Sequence, residues 1–234
     1  AVGTTRPAGY DVSNTVYTTI LPAAPSLTAP TNVCEGTAFT LPSVTAVSGF
    51  DVEYSVDGLV YSTSPTVPTT TGCHTVRARY VLASACGSSA AGSTAPAGCL
   101  ESAVVSVTTF PSAPVITAPA AVCAGTAFTL PSVPAVSGFT VQYSIDGSAY
   151  SATPTVPTTA ASCRNIKARY VLTSACGGTG SGATGSGLCI ESNTVSVTTF
   201  PAAPTITATA NTCAGSAFSL PTVAPVSGFT VQYS

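Results

Sequence analysis

The sequence predicts an all-β chain of tandem immunoglobulin-like (Greek-key) β-sandwich domains, and three observations support this prediction. β-Branched residues and turn formers are abundant, whereas long runs of helix-forming Leu, Glu, Lys, Gln or Arg are absent. A long stretch of sequence recurs at a spacing of about 90 residues. Each full unit also carries four cysteines in the same order. A period of this length is too long for a solenoid repeat and suits an independently folding sandwich.

The repeat sets the predicted domain boundaries. The stretch Phe110–Phe139 recurs at Phe200–Phe229, and an earlier copy runs from Ile20 to Phe50. Both ends of the sequence fall inside a unit, so the chain is interpreted as a window onto a longer array. The predicted segments are 1–20 (the closing strand of a preceding unit or a divergent N-terminal segment), 21–110 (repeat 1), 111–200 (repeat 2) and 201–234 (the first third of a further repeat).

Alternating residues identify the strands within the first repeat. Phe50, Val52, Tyr54 and Val56 alternate with polar residues, which is typical of a half-buried strand. Asp57-Gly58 then predicts a tight hairpin, because both central turn positions need positive φ. Further strands are predicted at Ser26–Ala29, Phe39–Leu41, Leu59–Ser62, near Thr66, at Val76–Leu82 and at Val105–Phe110. About seven strands per repeat match an immunoglobulin-like sandwich, with a Greek-key barrel as the alternative.

Four cysteines per repeat predict two disulfides each and an oxidising compartment. Cys73 and Cys86 bracket one strand and would lie roughly 30 Å apart, whereas a disulfide needs Cα atoms within about 7 Å. Pairing across a shared end of the sandwich and across a hairpin base is expected instead. The predicted disulfides are Cys34–Cys73, Cys86–Cys99, Cys123–Cys163 and Cys176–Cys189, with Cys213 unpaired within the chain.

Charge is scarce. The chain has 6 basic and 8 acidic residues, so 6% of it is charged, against about 25% in average soluble chains. Nucleic-acid binding is not expected, because it needs clustered Lys and Arg. No apolar run approaches the length of a transmembrane helix. Localisation outside the cell, or on its surface, follows from the cysteines.

Catalytic residues are not expected, and neither is a cofactor. The one histidine, His74, is replaced by Arg164 in the second repeat and is interpreted as a surface residue. Asp57 and Asp146 are assigned turn roles, and Glu101 and Glu191 are expected to solvate a strand end. Zinc is disfavoured because the nearest cysteines are 13 apart. A calcium site at Asp57 stays open as an alternative.

The remaining candidate functional features are basic residues on the outer face, the joints between repeats and two loops. Basic residues recur at Arg77 with Lys167 and at Arg79 with Arg169, where they either guard a β surface or contact a neighbouring chain or glycan. Proline-rich joints at Phe110 and Phe200 predict a semi-rigid rod. The Gly/Ser-rich loops 87–98 and 177–188 are interpreted as contact surfaces or as tolerated hairpin loops.

A family resemblance follows from three short motifs. YSVDGLVYSTSPTV at Tyr54–Val67 and YSIDGSAYSATPTV at Tyr143–Val156 resemble a hairpin in the repeats of Bacteroidota gliding adhesins. VCEGTAFTL and VCAGTAFTL, with a later CLES or CIES, are similar to the Ig-like domains of giant secreted surface proteins of that phylum. The resemblance implies export, surface display, and adhesive or filament-forming roles.

These observations predict a structural or adhesive segment of a cell-surface filament, stalk or adhesin. The alternatives are a self-assembling fibre completed by strand exchange, with 1–20 as donor, and an accessory glycan-binding module of a secreted protein. The expected partners are further copies of the repeat in the same or neighbouring chains. A surface glycan or a protein ligand is a further candidate partner.

Overall fold

The computed structural model describes residues 19–86, 89–92, 101–185, 189 and 191–234, and this part of the chain is all-β, with no α-helix. The strands are β1 (Val33–Cys34), β2 (Phe50–Val56), β3 (Gly72–Leu82), β4 (Val105–Phe110), β5 (Val122–Cys123), β6 (Phe139–Ile145), β7 (Ala161–Leu172) and β8 (Val195–Phe200). Within the described residues, no helix has the length and hydropathy that a membrane span would require.

The eight strands form two four-stranded sheets with the same topology. The order is β1-β4-β3-β2 in one sheet and β5-β8-β7-β6 in the other. In both sheets the short first strand runs parallel to the last strand, with Cys34 opposite Phe110 and Cys123 opposite Phe200. The two longest strands pair antiparallel in matching registers, with Tyr54 opposite Ala78 in the first sheet. The sequence repeat is therefore a structural repeat of strand order and register.

Four regular strands per repeat are fewer than the expected count of about seven, which is not confirmed. The segments expected to form strands at Ser26–Ala29, Phe39–Leu41 and Thr66 are irregular, and Leu59–Ser62 contributes one bridge, from Ser62 to Tyr54. Prolines border each irregular segment. Proline has no N–H to donate to a ladder, and it restricts the residue before it. The flanking prolines are Pro25, Pro30, Pro42, Pro65 and Pro68.

The hairpin turns have the conformation that the sequence predicts. Asp57 and Gly58 have φ of 51° and 73°, and Asp146 and Gly147 have φ of 52° and 77°. Aspartate and glycine are among the residues that tolerate this left-handed region. After each turn the chain returns along the preceding strand, and Tyr143 exchanges two backbone hydrogen bonds with Ser151.

Side-chain alternation along β3 separates the core from the outer face, as expected. Val76, Ala78 and Tyr80 are buried, whereas Arg77 is exposed and Arg79 half-buried. In the second repeat the corresponding core gathers residues from separate strands and loops around Ile166. These are Ile116, Phe128, Ile145, Ala168, Val195 and Val197. Apolar faces of this kind stabilise each sheet by removing surface from water.

A tyrosine hydrogen bond that recurs in each repeat holds the irregular segment around Pro42 or Pro131 against the following strand. Tyr54 Oη donates to Pro42 O at 2.7 Å, and Tyr143 Oη donates to Pro131 O at 2.7 Å. Tyr233 Oη makes the same bond to the Pro221 carbonyl at 2.6 Å. Burial raises the pKa of the Tyr54 and Tyr143 hydroxyls, so each stays a donor at neutral pH.

The chain contains two compact units. One comprises the described residues of Ala1–Thr31, Phe39–Pro68 and His74–Val107, and the other those of Asn32–Ala38, Thr69–Cys73 and Thr108–Ser234. The second unit therefore includes two short pieces of the first sequence repeat. Both pieces carry a cysteine.

Candidate functional site

The candidate site lies in the second unit, where pieces of the first repeat meet the second repeat. Cys34 lies opposite Phe110, the last residue of β4, so it is at the end from which the chain continues into the second repeat. Glu35 N donates to Phe110 O at 2.7 Å, and Gly36 N donates to Thr69 O at 2.9 Å. The second bond places the segment before Cys73 at the same end. Two cysteines of the first repeat thus stand where the chain enters the next.

Both cysteines form disulfides with the second repeat. Cys34 is bonded to Cys189, with Cα atoms 5.9 Å apart and a sequence separation of 155. Cys73 is bonded to Cys176, with Cα atoms 5.6 Å apart and a sequence separation of 103. Successive sequence repeats are thereby joined covalently at two points.

Three predicted pairings, Cys34–Cys73, Cys123–Cys163 and Cys176–Cys189, are therefore wrong, whereas the fourth, Cys86–Cys99, involves a cysteine outside the described residues. Cys34 and Cys73 do share one end, as expected, but each bonds a cysteine of the next repeat instead of the other. Cys86, Cys123, Cys163 and Cys213 are free thiols, and Cys99 lies outside the described residues. The physical reason is the position of the loop that begins at Cys176, which reaches this end and brings two thiols to it.

That loop is held against the first repeat by hydrogen bonds as well. Cys176 and Thr179 exchange two backbone bonds, at 2.8 and 2.9 Å, which close a tight turn. Asn32 Nδ2 donates to Thr179 Oγ1 at 3.0 Å, and Asn32 Oδ1 accepts from the backbone N–H of Thr108 at 2.9 Å. Asn32 therefore links the loop to the strand that precedes the joint. These contacts tie loop 177–188 to the first repeat within this chain, and most of loop 87–98 lies outside the described residues.

An apolar cluster includes cysteines of both disulfides. Phe110 packs on Phe139 with ring centroids 5.8 Å apart, and both rings are buried with Tyr170, Leu172 and the bonded cysteines. Phe110 belongs to the first sequence repeat and Phe139 to the second. The joint thus has a small hydrophobic core of its own.

Gly185 shows how closely the loop is packed. A Cβ added there would lie 2.8 Å from both the carbonyl oxygen and Sγ of Cys189, and 3.2 Å from Phe110 Cβ. Only glycine fits without a shift of backbone. Sequence reasoning missed both Gly185 and Asn32, because neither position has a local pattern that signals a long-range contact.

His74 is not the surface residue that the sequence indicated. It is 7% exposed, its Nδ1 lies 2.8 Å from Asp57 Oδ2, and its ring stacks on Phe39 at 6.1 Å. Asp57 Oδ1 also accepts from the backbone N–H of Thr75 at 2.8 Å. The turn aspartate thus anchors the start of β3, beside Cys73.

The second repeat uses the same anchor with a different base. Asp146 Oδ2 accepts from Arg164 Nη1 at 2.8 Å. Arg164 also donates to the Thr159 carbonyl and hydroxyl. Because Asp57 and Asp146 each organise the strand start next to a cysteine, their role is structural and extends beyond the turn.

Acidic residues on the outer face form ion pairs. Arg79 donates to Glu53 at 2.7 Å and stacks over Tyr61 at 4.1 Å. Glu101 accepts from Arg77 at 3.1 Å, and Glu191 accepts from Lys167 at 2.9 Å. Glu101 and Glu191 were expected only to solvate a strand end, and their ion-pair partners went unrecognised.

The pKa of the Glu191 carboxyl, on the outer face, is shifted. The hydrogen bond from Lys167 holds the pKa of the Glu191 carboxyl below its usual range.

Within the described part of the chain, no group of three or more His, Cys, Asp or Glu residues is placed to hold a metal ion.

Comparison with protein-family models and with curated proteins finds no match to this chain. The resemblance to Bacteroidota surface repeats therefore remains an expectation that depends on the quoted motifs.

Proposed function

We propose that this chain is a structural or adhesive tandem-repeat segment of an extracellular filament, stalk or adhesin, built from immunoglobulin-like sandwich domains. The observation that carries the proposal is the pair of disulfides, Cys34–Cys189 and Cys73–Cys176. Disulfides persist in oxidising environments such as the cell surface. Two bonds at one joint prevent consecutive repeats from separating, which suits a part that transmits tension or holds a fixed spacing.

The engagement of titratable side chains supports a non-enzymatic role. His74 is bonded to Asp57, and Arg164 occupies the corresponding place against Asp146. Glu53, Glu101 and Glu191 are paired with Arg79, Arg77 and Lys167. A catalytic acid or base needs access to a substrate in a cleft. These groups instead bind strand starts and outer-face neighbours.

The covered aromatic rings speak against the glycan-binding alternative. Sugar-binding modules use exposed ring faces. The Arg79 guanidinium carbon lies 4.1 Å from the Tyr61 ring centroid, and that of Arg169 lies 4.0 Å from the Tyr150 centroid. One face of each of these two tyrosine rings is thus occupied by a cation–π contact.

One observation fits both the tandem segment and the second candidate, a fibre completed by strand exchange. Phe218 is 64% exposed, whereas Phe39 and Phe128, the residues at the corresponding positions of the full repeats, are 2% exposed. An exposed core-type side chain is a surface that further strands would cover. Those strands could belong to the same polypeptide or to a neighbouring one, so the two candidates differ in the source of the strands.

Electron microscopy of the native material, with an antibody against this chain as the label, tests the proposal. Thin rods one domain wide, labelled along their length at the cell surface, are expected for a stalk or adhesin. Thick filaments of many laterally packed chains would favour the self-assembling fibre. Label confined to dispersed particles away from any filament would contradict both candidates.

A further inference from the structure

Two exposed thiols of the second repeat occupy the positions that carry disulfides in the first. Cys123 is the sequence equivalent of Cys34, and Cys163 is the equivalent of Cys73. Cys34 and Cys73 are each bonded to the following repeat, whereas Cys123 and Cys163 are exposed and free.

The backbone around Cys123 has the geometry of the backbone around Cys34. Ala124 N donates to Phe200 O at 2.6 Å, as Glu35 N does to Phe110 O at 2.7 Å. The next bond, Gly125 N to Thr158 O at 2.8 Å, matches that of Gly36 N to Thr69 O at 2.9 Å. Thr126 N donates to Cys123 O at 3.0 Å, the distance found between Thr37 N and Cys34 O. The cysteine-bearing end is thus already formed in the second repeat.

The aromatic residue of the joint is exposed at this end. Phe200 packs on Phe229 with centroids 6.0 Å apart, as Phe110 packs on Phe139. Phe110 is 3% exposed because it is buried with Cys176 and Cys189 and lies against Gly185, whereas Phe200 is 49% exposed. The surface that the cysteine loop covers in the first joint is therefore open in the second.

We infer that Cys123 and Cys163 form a two-thiol acceptor site for the cysteine loop of the next copy of the repeat in tandem. Cys123 bonds the counterpart of Cys189, and Cys163 bonds the counterpart of Cys176. The inference rests on the proposed tandem array and specifies its partner and its chemistry. Cys34 and Cys73 are the example within this chain of such an acceptor site. They lie at the same end of the first repeat, and each bonds the loop of the second repeat. In the first repeat, Cys86 is the sequence equivalent of the loop cysteine Cys176.

Each bond is a two-electron oxidation that requires an oxidant. The oxidant is a disulfide, either a small molecule such as glutathione disulfide or a thiol–disulfide oxidoreductase. The Cys163 thiolate attacks one sulfur of this disulfide and releases one thiol, and the resulting mixed disulfide is attacked by the loop thiolate. The second thiol then leaves, so two protein thiols and one external disulfide yield one protein disulfide and two external thiols.

A chain extended by one repeat tests the inference. Residues 230–234 have the same sequence as residues 140–144, so a copy of residues 145–200 placed after Ser234 completes the third repeat. Within that copy, a Ser181→Thr change serves as a mass tag. The chain is refolded with glutathione and glutathione disulfide, and free thiols are then alkylated. Trypsin and a glutamate-specific protease digest it under denaturing, non-reducing conditions.

The expected result is a link between peptide 102–164, which carries Cys123 and Cys163, and the tagged copy of peptide 170–191. Alkylation at both cysteines is lost relative to the unextended chain. Links of peptides 1–35 and 54–77 to untagged 170–191 report that the first joint is folded. Double substitution with Cys123→Ser and Cys163→Ser should leave both thiols of the tagged loop alkylated. In the matched control, Cys86→Ser, the new link should persist.

Two results would overturn the inference. Unchanged alkylation of Cys123 and Cys163, with the first joint intact, would show that this end accepts no loop. Disulfides that join only different chains, detected by mixing nitrogen-15-labelled and unlabelled protein, would show that the loop comes from a neighbouring chain and not from the next repeat of the same chain. If the link failed while microscopy of the native material still showed thin rods, the proposed function would stand without a covalent joint. If the link formed but no filament carried the label, the proposed function would fail alone.

Discussion

Asp146 Oδ2 accepts a hydrogen bond from Arg164 Nη1 at 2.8 Å, while the Asp146 backbone holds the left-handed conformation of the hairpin turn. Replacing Asp146 with Ala should lower the free energy of unfolding by about 2 kcal/mol, because it removes a charged hydrogen-bond acceptor and disfavours positive φ. Asp146→Asn tolerates the turn and keeps one acceptor oxygen, so it should cost less. Urea unfolding of both variants checks this order, and equal losses would contradict it.

The Glu191 carboxyl makes stability dependent on pH in the acid range. Its folded-state pKa lies below the ordinary value of 4.5, so its contribution is present above that value and is lost as pH falls through the folded pKa. Glu191→Gln should therefore make the decline of thermal stability shallower below about pH 4.5. Identical slopes for wild type and Glu191→Gln would refute the assignment.

The packing around Gly185 predicts a destabilising alanine. Gly185→Ala places a Cβ 2.8 Å from the Cys189 carbonyl oxygen, and overpacking of this kind costs about 1–3 kcal/mol. Gly180→Ala is a matched control in the same loop, since an added Cβ there meets nothing within 4 Å. Thermal unfolding and the rate at which dithiothreitol reduces Cys34–Cys189 should both change for Gly185→Ala only. Equal behaviour of the two variants would disprove the close packing.

The disulfides should limit the length to which the chain extends under force. In the oxidised protein the 155-residue span of Cys34–Cys189 cannot extend. Double substitution with Cys34→Ser and Cys73→Ser should add roughly 50 nm of contour length in single-molecule force spectroscopy, at about 3.4 Å per residue. Cys213→Ser is the control, because Cys213 is a free thiol. An unchanged contour length in the double variant would mean that the bonds do not span this segment.

Local features of the fold could be predicted from the sequence. The alternation in β2 and β3, the Asp-Gly turns and the repeat itself are properties of neighbouring residues. The extra strands were not formed, because prolines such as Pro42 and Pro68 interrupt the ladders.

The candidate site was predicted only in part. That cysteines of each repeat take part in disulfides followed from their number and spacing, and the shared end of Cys34 and Cys73 followed from strand direction. Their partners did not, because pairing depends on which loop reaches that end, and each repeat was expected to close on itself. The burial of His74 depends on Phe39, 35 positions away in the sequence, and no local pattern reports such a contact.

The two disulfides also change what a protease can achieve. One peptide-bond cut between Cys34 and Cys189 leaves both fragments attached to each other, and a cut between Cys73 and Cys176 leaves them attached twice. Exposed loops are preferred sites of proteolytic cleavage. A nick in such a loop would leave this stretch of the chain in one piece, so damage that shortens an ordinary polypeptide need not shorten this one.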